Sequence, residues 1–170
     1  MADLLVVFAS FLNFHPSVPP ATTAERQRSH RILRQMLRQF ERDPQTVLKA
    51  FWKNCDWLPR RHSALLHQLS SPSFNPQFLL SDLRDLDRSL LCADLLAQCP
   101  SLLLLQGKQD RIVHPQQAQV LLQTIRQTQA PRVELHLLDG PHALPATQPA
   151  SCWEVVRSHL SCICEAGVLE

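Results

Sequence analysis

SLLLLQGKQDRIVHP, residues 101–115, decides the fold. A continuous apolar run between Pro100 and Gly107 is the pattern of a central parallel strand covered on both faces, since alternation is expected only where one face meets solvent. Asp110 then sits in a sharp turn. Pro115 opens a helix with Ala118, Leu121, Leu122 and Ile125 on one side. A second turn, DGPHALP (139–145), carries His142 and comes after RVELHLL (132–138). There Val133, Leu135 and Leu137 alternate with Arg132, Glu134 and His136, as in a strand near a sheet edge.

Upstream, LLVVFA (4–9) reads as another strand buried on both faces. The proline-rich HPSVPPATT interrupts regular structure, and its threonines can cap the next helix. Residues 24–42 place Leu33, Met36, Leu37 and Phe40 at helical spacing, with Arg31, Arg34, Arg38 and Arg42 on another side. Asp43-Pro44 restarts a helix with Val47, Leu48, Phe51 and Trp52 as its apolar side. Further helices are expected over roughly 60–70 and over 77–95, where Leu79, Leu83 and Leu86 share a face. Pro149 starts a last helix with Trp153, Val156, Leu160 and Ile163 inward. The order strand, helices, strand, helix, strand, helix predicts an α/β fold with about three parallel strands and a helical insertion after the first.

The 170 residues, 45% hydrophobic, suffice for one domain with a core. A formal charge of +2 argues against bulk nucleic-acid or membrane binding, although residues 1–62 hold ten of the seventeen Lys and Arg and five of the fifteen acids. Six cysteines without a C-x-x-C pair, after an opening that lacks a basic leader, predict reduced thiols in the cytoplasm. No apolar stretch approaches the roughly 20 residues of a spanning helix. The histidines, including His62 and His67, lack metal-ligand spacing, so neither metal nor cofactor is expected.

Functional groups of parallel sheets gather beyond the carboxyl ends of the strands. Asp110 and His142 both have that address. A carboxylate there can accept an imidazole N–H, fix the tautomer and stabilise the imidazolium formed when the other nitrogen takes a proton. Each residue alone has a plainer reading: an Asp that bonds nearby amides, and a surface His beside Gly-Pro. The pair on two strands at matched ends is the stronger signal.

PSLLLLQGKQDRIVHPQQA, then VELHLLDGPHALPATQP and a closing helix, resembles the C-terminal part of α/β-hydrolases. LLVVFASF resembles the strand after the nucleophile helix. FERDPQTVLKAFWKNC and DLRDLDRSLL resemble the helical lid of pimeloyl-acyl-carrier-protein methyl ester esterases of biotin synthesis. The resemblance implies one incomplete domain: a core strand (1–14), a lid (15–95) and the C-terminal strands and helices (96–170). It also implies a serine carboxylesterase with Asp110 as the acid and His142 as the base. Pro141 directly before the histidine, and Pro145 three residues after it, depart from the family pattern.

With only Gly107, Gly140 and Gly167, the sequence contains no G-x-S-x-G elbow. Ser10, at the end of the first strand, is a poor substitute because no elbow exposes it. The expectation is therefore two of three triad roles, inactivity of the chain alone, and a nucleophile from a complementary N-terminal half. The arginine stripe either receives an acidic acyl-carrier protein, as the resemblance implies, or is a solvated helix face. A non-catalytic interaction protein built on that basic lid is the competing expectation.

Overall fold

The computed structural model describes residues 4–15, 22–56, 75–96, 98–128 and 132–165. The expected helix at 60–70, His62, His67 and Trp57, and the side chains of Ile163 and Cys164, lie outside the described residues. The chain divides into two compact units, Met1–Leu12 with Leu91–Glu170, and Asn13–Leu90.

The first unit contains one sheet of three parallel strands, β1 (Leu5–Phe8), β2 (Leu102–Gly107) and β3 (Val133–Leu138), in spatial order β1-β2-β3. All six residues of β2 are buried. The unbroken leucine run stems from this position, because successive side chains of a strand point to opposite faces. Leu102 and Leu104 pack with Leu121 and Ile125, whereas Leu103 and Leu105 pack with Leu144 and Cys152 on the other face. The fold is thus the expected α/β type, a three-stranded parallel sheet with helices on both sides.

Helix α4 (Ala93–Leu96) precedes β2, and α5 (Pro115–Gln127) crosses from β2 to β3. Helix α5 starts where the sequence indicates, with Pro115 in its first turn and His114 as N-cap, its Nδ1 accepting from the Gln116 amide at 3.3 Å. After β3 come a short helix α6 (Leu144–Thr147) and α7 (Pro149–Glu165). Trp153, expected inward on α7, is instead 61% exposed, and Cys152 and His159 take the buried positions. A hydrophobicity count cannot anticipate that exchange: His159 goes inside because Ser101 and Glu134 supply its hydrogen bonds.

The second unit is helical. Thr22 and Glu25 form a reciprocal capping box at the start of α1 (Thr23–Arg42), and the Asp43 side chain accepts from the Thr46 amide at 3.0 Å to cap α2 (Pro44–Asn54). Asn75 does the same for α3 (Pro76–Leu86). Leu33, Phe40, Cys55 and Leu80 are its buried apolar side chains among the described residues. The helix expected over 77–95 is shorter: α3 stops at Leu86, and the Ser89 amide and hydroxyl fold back onto the Asp85 carbonyl at 2.8 and 2.7 Å. The amide bond is of the helical i→i−4 kind, and the serine hydroxyl bonded to the same carbonyl is the back-bond that weakens a helix. Leu80, rather than Leu79, Leu83 or Leu86, is the buried residue of that helix.

β1 also departs from expectation. Leu5 is 37% exposed and Val6, Val7 and Phe8 are only half-buried, because β1 pairs with β2 alone among the described residues. Among the described residues no strand pairs with its outer edge, and such an edge beside apolar side chains is a template for pairing with another chain. The chain is therefore expected to self-associate as concentration rises, and Leu5→Lys to weaken that association. Sedimentation velocity on both proteins checks this; a wild type that stays monomeric at high concentration contradicts it.

Candidate active site

The carboxyl ends of β2 and β3 are in register, with Gly107 opposite Leu138. The chain then turns twice within a small space. The Lys108 amide donates to the Leu138 carbonyl at 2.8 Å and the Gln109 amide to the Gly140 carbonyl at 3.1 Å, so the two turns are laced together by backbone bonds. Lys108 Nζ also lies 3.0 Å from the Asp139 carboxylate, an exposed pair of small energetic weight. A Cβ on Gly107 would overlap the Gly140 and Pro141 carbonyl oxygens. Those are backbone atoms, so no rotamer change relieves the clash. Glycine is required at the end of β2 for the histidine turn to approach.

That approach brings Asp110 and His142 together. His142 Nδ1 lies 2.9 Å from Asp110 Oδ2. The carboxylate is fully buried, whereas the His142 side chain is 22% exposed. The two carboxylate oxygens divide their work. Oδ1 accepts from the Ile112 and Val113 amides at 2.8 and 2.9 Å, shaping the turn into α5, while Oδ2 accepts from Gln106 Nε2 at 2.8 Å and meets the histidine. Burial pushes the Asp110 carboxyl up, but the His142 ring and the Val113 and Ile112 amides outweigh it and hold it below its ordinary value. An ionised carboxylate accepts only, so His142 presents Nδ1–H to it and carries its lone pair on Nε2.

Gln106 is the residue that sequence reasoning missed. Fully buried at the penultimate position of β2, it donates through Nε2 to Asp110 and to the Val113 carbonyl at 3.1 Å. Its Oε1 is buried without a hydrogen-bond partner among the described residues. A single polar residue interrupting LLLL–G was the available signal, because a glutamine enters a fully buried strand only for a partner.

Of the other sequence candidates, Ser10 is half-buried in the segment after β1, where Ala9 adopts a left-handed φ of 48°. The chain leaves the sheet there, and the Leu12 carbonyl accepts from the Leu91 amide at 2.8 Å. Arg31, Arg34, Arg38 and Arg42 are all exposed on α1. At 100° per residue they fall within about 80° of one another, one continuous basic stripe.

A second serine, histidine and carboxylate line up at the opposite rim. Ser101 Oγ lies 2.8 Å from His159 Nε2, and His159 Nδ1 lies 3.1 Å from Glu134 Oε2, with Arg132 donating to Glu134 Oε1 at 3.0 Å. The nitrogens are used in the order of a hydrolytic triad. Ser101 is only 1% exposed and lies before the amino end of β2, so no substrate carbonyl reaches its hydroxyl. This network fastens α7 to the sheet.

No protein-family model and no curated protein sequence matches the chain. Among solved structures it is similar to the esterase EaEST from Exiguobacterium antarcticum, with a TM-score of 0.70 and 17% identity over 94% of this chain. It is also similar to Est816, described as an N-acyl homoserine lactone degrading enzyme, with a TM-score of 0.58 and 16% identity over 92% of this chain. The chain spans 57% of the length of each of them. At such identities the likeness is one of fold: a partial esterase-like α/β architecture.

Asp110→Asn places an amide donor against Gln106 Nε2 and His142, so a loss of about 1–3 kcal/mol is expected in urea unfolding at neutral pH. Because the folded carboxyl titrates below its unfolded value near 3.9, the contribution is complete above that value and disappears as pH falls through the folded one. The stability gap between wild type and Asp110→Asn is therefore expected to close below about pH 4. Gly107→Ala is expected to lower the thermal midpoint and to shift the His142 ring resonances in NMR spectra, since the turn that positions the ring must move. Unchanged ring resonances would mean the close approach does not set the pair.

Proposed function

We propose that Asp110 and His142 are the acid and base of a serine-type carboxylic ester hydrolase whose nucleophile comes from outside these 170 residues. The observation that carries the reading is the 2.9 Å bond from a partly exposed histidine to a fully buried carboxylate, both beyond the carboxyl ends of adjacent parallel strands. In the reaction His142 Nε2 takes the proton of a serine hydroxyl as its oxygen attacks the ester carbonyl carbon. The resulting imidazolium, stabilised by Asp110, then protonates the departing alkoxide as the tetrahedral intermediate collapses to an acyl-enzyme. Water repeats the sequence and frees the acid and the serine. Residues 107–115 and 139–145 supply the proton-transfer half of this chemistry. They supply neither a nucleophile elbow nor its oxyanion donors, so the chain alone is inactive.

Within ester hydrolases, the resemblance of the sequence to pimeloyl-acyl-carrier-protein methyl ester esterases favours an ester carried on an acidic protein. The exposed arginine stripe of α1 supports that substrate class, because a row of guanidinium groups steers and orients an acidic partner. The chain's six cysteines without a C-x-x-C pair fit a cytoplasmic protein, and among the described residues no helix is long and apolar enough to cross a membrane. The same stripe is also the observation that favours a non-catalytic carrier-binding role.

Two measurements separate these readings. Alone, the chain is expected to hydrolyse short-chain p-nitrophenyl esters no faster than buffer. Joined with the nucleophile-bearing segment of an esterase of this fold, it is expected to gain activity that His142→Ala abolishes and that Asp110→Asn lowers by about 10⁴-fold. Activity of the chain alone that is lost with His142→Ala refutes the need for an outside nucleophile. Restored activity indifferent to His142→Ala refutes the role of the pair. Binding of an acidic carrier protein, weakened by Arg34→Glu with Arg38→Glu and by salt, with no hydrolysis in any pairing, establishes the interaction role instead.

A further inference from the structure

The helical unit contains a cluster that the ester chemistry does not use. His15, His30 and Asp87 lie far apart in sequence, and their ligating atoms all fall within 4.8 Å of one another. His15 Nε2 is 2.9 Å and His30 Nδ1 3.2 Å from the same oxygen, Asp87 Oδ1. His15 is 1% exposed, whereas the His30 side chain is 29% exposed. His15 Nδ1, on the far side of its ring, lies 2.8 Å from Ser29 Oγ.

We propose that His15 Nε2, His30 Nδ1 and Asp87 Oδ1 bind one zinc ion. Zinc takes imidazole nitrogen and carboxylate oxygen at about 2.0–2.2 Å, which in a tetrahedron sets neighbouring donors about 3.3 Å apart. Two of the three edges already stand at 2.9 and 3.2 Å. The ion replaces the two N–H protons now directed at Asp87 Oδ1. The proton of His15 then resides on Nδ1, where Ser29 Oγ accepts it, the outer-shell bond that fixes the ring of a metal-ligating histidine. One adjustment is required. The His15 and His30 rings are stacked with centroids 3.6 Å apart and planes at 28°, so their lone pairs do not yet converge. His30, the more exposed ring, turns to complete the site, and water fills the fourth position.

The location says what the ion does. Asn13 and Leu90, the first and last residues of the helical unit, pair through an isolated antiparallel bridge, and His15 and Asp87 lie just inside it. His30 adds the second turn of α1. Zinc bound here closes the neck of the unit by joining residues 72 apart in sequence, and stabilises the folded chain because only that state brings the three ligands together. No short-range spacing betrays such a site, because each ligand comes from a different segment.

Calorimetric titration of the full chain, stripped of metal by chelation and kept reduced, is expected to show one zinc per chain and a raised thermal midpoint. His30→Ala and Asp87→Asn are expected to abolish that binding, and Ser29→Ala to weaken it by about 10–100-fold. Cysteine ligation is the main competitor, and cobalt distinguishes it. Cobalt in the proposed site gives visible d–d bands without a thiolate charge-transfer band. Absence of binding, binding unchanged in His30→Ala and Asp87→Asn, or a cobalt spectrum with the thiolate band overturns the proposal. Should Asp87→Asn fail to fold by circular dichroism, His30→Ala, at a partly exposed position, decides alone.

Discussion

Everything at the candidate site depends on the absence of a side chain at residue 107. β2 ends under the carbonyls of Gly140 and Pro141, and any Cβ there would push the second turn away from the first. With glycine, the two turns exchange backbone hydrogen bonds from Lys108 and Gln109. Their closeness is a property of the backbone, set before any catalytic side chain is considered. Asp110 and His142 then meet because each is the residue that its turn projects over the shared rim. The Gly140 position is less demanding, since a Cβ there meets side-chain carbons of Leu144 and Gln148 rather than backbone.

Histidine–carboxylate pairs recur among the described residues, and their surroundings separate them better than their distances do. His142 with Asp110, His159 with Glu134 and His15 with Asp87 lie at 2.9, 3.1 and 2.9 Å. His159 is 4% exposed at the amino end of the sheet, with its second nitrogen held by a serine that solvent does not reach. His15 is 1% exposed in the helical unit, with both nitrogens engaged. Of these three, the His142 pair alone combines a buried acid with a partly exposed base at the carboxyl rim. Glu134 is held below its ordinary value, burial being opposed by Arg132, His159 and His136. A depressed carboxyl therefore marks an ion-pair network as readily as a catalytic acid.

What the sequence made legible was the part governed by local rules. A short leucine run bounded by proline and glycine has the pattern of a covered strand, and the threonines before α1 and the prolines at 44, 115 and 149 announce helix starts. The relative placement of Asp110 and His142 came from strand order and one crossover. Side chains whose burial is decided by a distant partner were not legible. His159 displaces Trp153 from the interior because Glu134 and Ser101 await it, and His15 is buried by residues 14 and 72 positions away. The half-exposure of β1 was hidden for a similar reason: LLVVFA states that a strand wants cover on both faces, and only the sheet states how many neighbours it has.

The two residues of the pair carry unequal weight as evidence for chemistry. Asp110 would be kept in a protein with no catalytic role at all, since its Oδ1 holds the Ile112 and Val113 amides and its Oδ2 satisfies Gln106 inside the sheet. Its removal costs stability whatever the function. His142 belongs to neither apolar cluster of the core and stays partly open to solvent. A turn could reach the same glycine and the same backbone bonds with another residue at that place. An imidazole held by a buried anion and partly exposed is the group that the proposed proton transfer requires. The functional reading therefore rests on His142 more than on the acid that orients it.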